Sequence, residues 1–232
     1  MKKLVGLLAA LVLAGGSIFA GDFYNGDIQI QLGFALDKAT AEDIDAAINA
    51  KVFNGGIESW HLFKPVDMFS VGLMAGFNAG VGKTDRWSTT LTGFGDTNSK
   101  MELKGNKDGL SWNLNFNIGP AVAFYAGDIV RIGANFGFAT GFNFDEPYKA
   151  EFNTENIRGS TSASFKASYT GFTTGVQAKF FPDFFINPVI GWRFIRGTSK
   201  SVDYNVGSFK SSLNKKYTFT QNVIYAALAF SW

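Results

Sequence analysis

Histidine and cysteine carry much of hydrolytic and metal chemistry, and this chain has one His and no Cys. A nucleophile–base pair needs the imidazole beside a hydroxyl or thiol, with an acid to orient it. His61 stands instead at the end of an alternating segment, just before the turn-like run Lys64, Pro65, Val66 and Asp67. That position reads as an interfacial or interior structural histidine. A single His without Cys argues against a structural transition-metal site. Gly82, Lys83 and Thr84 imitate the end of a phosphate-binding loop, but Phe77 stands where the first glycine belongs, and the segment runs from strand into loop. Asp37, Glu42, Asp43 and Asp45 lack the spacing of a calcium loop and read as a solvated cluster. Lys200, Lys210, Lys215 and Lys216 oppose Asp203 in a basic stretch, either a solvated loop or a site for phosphorylated lipids or acidic host glycans. No enzyme activity, metal or cofactor is expected.

The elements that would hold any chemistry are strands. Residues 27–36, 69–81, 110–118 and 130–138 alternate strictly, bulky apolar residues taking one face and small or polar residues the other. Four further segments complete the set, at about 50–63, 165–181, 184–196 and 218–232. Phe53 and Ile57 are expected to point outward on the second, because Glu58 is costly against lipid. Pro120 and Pro188 are expected to mark bulges or strand ends. Connections alternate between long and short. Residues 37–49 read as a loop with a possible helical turn, and 83–109, 143–164 and 197–216 as long polar loops. The runs at 64–67, 125–128 and 182–183 read as tight turns.

Lys2 and Lys3, the apolar run at 4–14, and Gly15, Gly16, Ser17 and Ala20 have the order of a secretory signal peptide ending at residue 20. The division is therefore 1–20 leader and 21–232 barrel. Eleven apolar residues are too few for a membrane-spanning helix. Without Lys2 and Lys3 the chain holds 19 basic and 19 acidic residues, so charge points to no nucleic-acid partner. Its 25 Phe and 27 Gly favour strands and closely packed walls.

In a soluble barrel the bulky face would fill the interior. Eight strands enclose room for modest side chains only, so the Gly, Asn and Gln face is expected inside and the Phe, Ile and Leu face against lipid. Trp60, Phe63, Phe69, Phe124, Tyr125, Phe181, Phe184 and Trp232 collect at the turn ends as an aromatic girdle. The interior then holds Glu58, Arg131, Lys179 and Arg193, with Gln29, Gln177, Asn113, Asn115, Asn135 and Tyr225. Two readings stand: a polar plug, or a narrow pore whose selectivity those charges set.

The leader, the alternating strands, the uneven connections and the ending TFTQNVIYAALAFSW resemble the small eight-stranded outer-membrane barrels grouped around the OmpA membrane domain, OmpX and OmpW. The resemblance implies an all-β, eight-stranded antiparallel transmembrane up-and-down barrel with long extracellular loops and short periplasmic turns, in the outer membrane of a diderm bacterium. It further implies that Tyr225, Leu228, Phe230 and Trp232 form a signal for the barrel-assembly machinery. Partners would be outer-membrane lipid and either small, possibly hydrophobic solutes passing a narrow channel or host-surface ligands meeting the loops. The channel reading is favoured over the adhesin or structural one. Enzymes of such membranes work near the outer rim, and His61 is expected at the opposite end.

Overall fold

The computed structural model describes residues 24–41, 47–85, 87–92, 100–105, 109–153, 158–200, 202–206, 209–213 and 216–232. The expected leader, and Glu42, Asp43, Asp45 and Lys215, lie outside them. The described residues form twelve strands and no helix. In chain order these are β1 (Tyr24–Ala41), β2 (Ala47–Val66), β3 (Phe69–Thr84), β4 (Trp87–Thr92), β5 (Lys100–Gly105) and β6 (Leu110–Ala126), followed by β7 (Val130–Asn153), β8 (Arg158–Phe180), β9 (Ile186–Ser199), β10 (Val202–Val206), β11 (Phe209–Leu213) and β12 (Tyr217–Ser231). Eight of them close a barrel in the order β1, β2, β3, β6, β7, β8, β9 and β12, every neighbour antiparallel. The expected eight-stranded up-and-down barrel is what the chain forms.

Closure fixes the geometry. Following partners round the wall from Ile28 leads through Ser59, Ala75, Ile118, Phe138, Phe172, Arg196 and Thr220 to Lys38, ten residues further along β1. Such a stagger tilts the strands by about 40° from the barrel axis. No strand edge in the wall is left open, and in hydrocarbon each backbone amide needs that partner.

The faces divide as expected. Ile30, Leu32, Phe34, Leu36, Phe77 and Ile224 are more than half exposed on the outer wall, while Gln29, Asn113, Asn115 and Asn117 are buried inside. Phe53 and Ile57 point outward and Glu58 inward. This is the inverse of a soluble barrel, and it suits lipid. Two members of the expected girdle are corrected: Trp60 and Tyr125 are buried in the interior, and the other six are exposed.

The connections also need correction. β1 runs through Asp37 to Ala41 and β2 begins at Ala47, so strand replaces loop at both ends of the expected connection, and its middle, residues 42–46, with the possible helical turn, lies outside the described residues. β7 and β8 extend as a paired ribbon to Asn153 and Arg158, β4 and β5 form a hairpin on β7, and β10 and β11 form another on β8. Beyond lipid both faces of a ribbon are wet, so its sequence need not alternate and reads as loop. The opposite end has short turns at Asp67 and Met68, at residues 127–129 and at 181–185. Pro120 and Pro188 cause no register shift. Pro120 faces outward where the β6–β7 ladder skips a rung, and Pro188 lies one residue past the last β8–β9 pair. Neither position needs the missing N–H.

Candidate functional site in the barrel lumen

The alternation that turns phenylalanines outward sends the ionisable residues of the same strands inward, where the stagger arranges them in three storeys. Nearest the turn end, Asp27 Oδ2 meets Arg131 Nη2 at 2.7 Å and Lys179 Nζ at 3.1 Å. Gln29 Nε2 donates to Asp27 Oδ1 at 2.9 Å. Lys179 also donates to Ser231 Oγ, which in turn donates to Asn187 Oδ1. One carboxylate thus serves two cations drawn from β7 and β8.

In the middle storey Glu58 pairs with Arg193 through Oε2, and Trp60 Nε1 donates to Glu58 Oε1 at 2.6 Å. Arg193 donates onward to Asn78 Oδ1 at 2.9 Å and Gln31 Oε1 at 3.1 Å. Its guanidinium lies 5.3 Å from the Tyr225 ring centre, within cation–π range. Tyr225 donates to Gln177 Oε1 at 3.2 Å. That ring lies along the wall over Gly191, its register partner, and a side chain at 191 would collide with it.

Nearest the ribbon end, Asp37 accepts from Asn113 Nδ2 at 2.6 Å and Gln221 Nε2 at 2.9 Å. Above this storey Tyr169 stacks on Phe219 with ring centres 4.6 Å apart, beside Ile195 and Tyr217. A second apolar cluster, of Trp60, Leu62 and Met74 with Tyr125, lies at the turn end. The two clusters flank the polar network rather than cap it: the buried members of the first come from β1, β7, β8, β9 and β12, and those of the second from β2, β3 and β6, where Trp60 is the register partner of Asp27.

Burial decides what this interior does in the resting barrel. A side chain lining a water-filled passage is reached by water, yet Asp27 is 0% exposed and Glu58, Arg131, Lys179 and Arg193 are 1% each. The described interior carries three buried carboxylates, Asp27, Asp37 and Glu58, against the three cations Arg131, Lys179 and Arg193. Paired and hydrogen-bonded charges are what a narrow desolvated interior tolerates.

All seven lumen candidates, Glu58, Arg131, Asn135, Gln177, Lys179, Arg193 and Tyr225, are buried inside the wall. The polar contacts join Glu58 to Arg193 and Tyr225 to Gln177, while Arg131 and Lys179 meet through Asp27. Asp27 and Asp37 escaped the sequence reading, one as a strand start and the other as part of an acidic loop. Their shared phase with Gln29 and Gln31 is the signal that identifies them. Of the terminal set, Tyr225 faces inward, Leu228 and Trp232 are exposed on the outer wall and Phe230 is partly so.

His61 is half-buried on the outer wall. Its Nε2 lies 2.8 Å from Ser59 Oγ, and its Nδ1 is hydrogen-bonded to Tyr24 OH. A phenol replaces the orienting carboxylate, and Ser59 is covered. The neighbouring backbone is consumed by the β1–β2 and β2–β3 ladders, which leaves no pair of N–H groups to stabilise an oxyanion. The cluster instead seats the C-terminal ring: Trp232 packs edge-on to His61 with centres 6.3 Å apart. Its indole also lies over Gly26, where a Cβ would come within 2.6 Å.

No protein-family model and no curated protein matches the chain. Among solved structures, the outer membrane protein OprG of Pseudomonas aeruginosa aligns with TM-score 0.45 and 11% identity, over 90% of this chain and 98% of that one. The outer membrane protease OmpT of Escherichia coli gives 0.44 and 11%, over 92% and 98%. Ail, the attachment invasion locus protein of Yersinia pestis, gives 0.36 and 13%, over 88% and 99%. These likenesses concern the fold alone. In strand number, antiparallel order and outward apolar wall, the chain has the architecture of the small eight-stranded outer-membrane barrels.

Proposed function

We propose that residues 21–232, exported by the leader at 1–20, form an integral outer-membrane barrel of a diderm bacterium that is sealed along its axis. It acts through its outer wall and its ribbon end, as a structural protein or as an adhesin for host-surface ligands. The observation that carries this reading is the burial of every described lumen charge, ion-paired at Asp27 and Glu58 and hydrogen-bonded at Asp37, beside two apolar clusters. The ribbon end, with its two added hairpins, faces the exterior, and the short turns face the periplasm. Leu228, Phe230 and Trp232 offer the assembly machinery an outward apolar row, with Tyr225 setting the inward phase.

A gated narrow channel for small solutes is the second reading, and one observation favours it. Asn54 Nδ2, Asn78 Nδ2, Gln177 Nε2 and Arg193 Nε are buried without a hydrogen-bond partner among the described residues. Such groups gain from water, and with Ser111 Oγ toward the ribbon end and Arg131 Nε toward the turn end they mark the course along which a passage would open. Planar-bilayer recording of the refolded mature protein separates the two. The sealed reading expects a stable baseline. Discrete current steps from the unmodified protein would replace it with the channel.

A further inference from the structure

The outer wall is uneven on the arc formed by β9, β12, β1 and β2. Two rows of side chains cross it, one through Leu32, Ala226 and Ile190, the next through Phe34, Ile224 and Trp192. Between them Gly33, Tyr225 and Gly191 point inward and offer the outside only backbone. Ala226, with its single methyl, leaves a notch in the lower row. The result is an open apolar groove that continues past Ile190 to Val176 and Ala178 of β8 and Ile132 of β7, about 770 Å³ in all.

Above the groove, toward the ribbon end, the same side of the wall changes character. Lys38, Lys51, Lys83 and Arg196 are all exposed in the outward phase. Lys51 stands directly opposite Lys83 across the β2–β3 pair, and Lys38 and Arg196 flank Thr220. Like charges placed directly opposite destabilise a sheet. The described carboxylate nearest in sequence on this face is Asp85, two residues beyond Lys83, while Asn49, Thr220 and Asn222 are neutral. Among the described residues three cations, Lys38, Lys51 and Arg196, therefore stand at the border of the apolar belt, with Lys83 and Asp85 at the end of β3.

From this alignment we infer that the arc binds one anionic lipid of the outer leaflet, its phosphate held by the cations and an acyl chain lying in the groove. The inference rests on the reading of the chain as an outer-membrane barrel with its ribbon end outward. Neither half is selective by itself, since any lipid wets an apolar wall and rim lysines attract any anion. Set on the same strands, the two halves select for headgroup and chain together. A basic residue near a membrane surface contributes about 1 kcal/mol toward an anionic lipid, and a zwitterionic lipid forgoes most of that.

The test is native mass spectrometry of the folded mature protein, released from detergent micelles holding equimolar phosphatidic acid and phosphatidylcholine with identical chains. The expected result is a single lipid adduct that favours phosphatidic acid by about fivefold or more. The variant Lys38→Gln/Lys51→Gln/Arg196→Gln should bring that ratio to about one. Ala226→Phe, which fills the groove and leaves the cations intact, should reduce adducts of both lipids, a result that free-phosphate binding would not give. Each variant is checked for folding by its heat-dependent electrophoretic mobility. Equal adducts in the unmodified protein, or a preference that survives the triple substitution, would overturn the inference alone. Failure to insert into lipid vesicles would overturn the outer-membrane reading and this inference with it.

Discussion

Arg193 and Glu58 are each 1% exposed and face each other across the lumen from β9 and β2. Truncating one member of such a pair leaves a charge buried without its counterion, at a cost of about 3–5 kcal/mol. Replacing both by apolar residues of similar volume removes the desolvation penalty along with the attraction. Arg193→Met should therefore lower the urea midpoint of unfolding from lipid vesicles markedly, while Glu58→Leu/Arg193→Met regains most of the loss. If the double variant is as unstable as the single one, the remaining partners Trp60, Gln31 and Asn78 carry the site rather than the ion pair. Tyr225 depends on its neighbours in another way, because its ring occupies the space a side chain at 191 would need. Gly191→Val should expel the ring, break its hydrogen bond to Gln177 and destabilise the barrel by more than Tyr225→Phe does. Thermal unfolding of the two variants would rank them.

At the scale of elements, the seam between β1 and β12 is where the first and last strands must meet. Its lower end is tied by reciprocal backbone bonds, Gly26 N to Trp232 O at 3.3 Å and Trp232 N to Gly26 O at 3.1 Å. The indole over Gly26 excludes water from both, so Gly26→Val should loosen this end only. Amide exchange is expected to quicken at position 26 and at Trp232, while Ile224, in the middle of the ladder, stays protected. Uniform quickening along β12 would mean that the seam opens as one unit. How far such elements were legible follows from where they lie. Inside the belt lipid dictates one apolar face, and β3 or β6 could be read residue by residue. Beyond it β7 continues through NFDEPYKAEFN, whose pairing with β8 survives by shifting register between Asp145 and Tyr148. That bulge spans Pro147 and has no periodic signal. Pro120 and Pro188, read as bulges or strand ends, shift no register because their missing donors fall at unpaired rungs. Trp60 shows the converse limit: its aromatic character suggested the interface, but its even position in β2, shared with Glu58 and Leu62, places it inside.

For the whole molecule, the sealed reading depends on apolar clusters and storeys together, and this separates it from a gate made of one ion pair. Among the described residues the lumen charges balance, three against three, so no net field draws an ion inward. Removing Arg193 exposes Glu58 to any water that enters mid-lumen, yet Tyr169 and Phe219 still pack toward the ribbon end and Trp60, Leu62 and Met74 toward the turn end, beside the Asp37 and Asp27 storeys. Apolar surface beside a polar layer in a narrow lumen resists wetting. Arg193→Ala by itself should therefore stay silent in a planar bilayer. Arg193→Ala combined with Trp60→Ala and Phe219→Ala should open the axis and give discrete steps, cation-selective because the uncompensated Glu58 then lines it. Conductance from Arg193→Ala alone would identify the Glu58–Arg193 pair as the gate and convert the plug into a channel held shut by one contact. Silence from the triple variant, with its folded state verified by electrophoretic mobility, would mean that the remaining storeys at Asp27 and Asp37 seal the barrel without help from the apolar clusters.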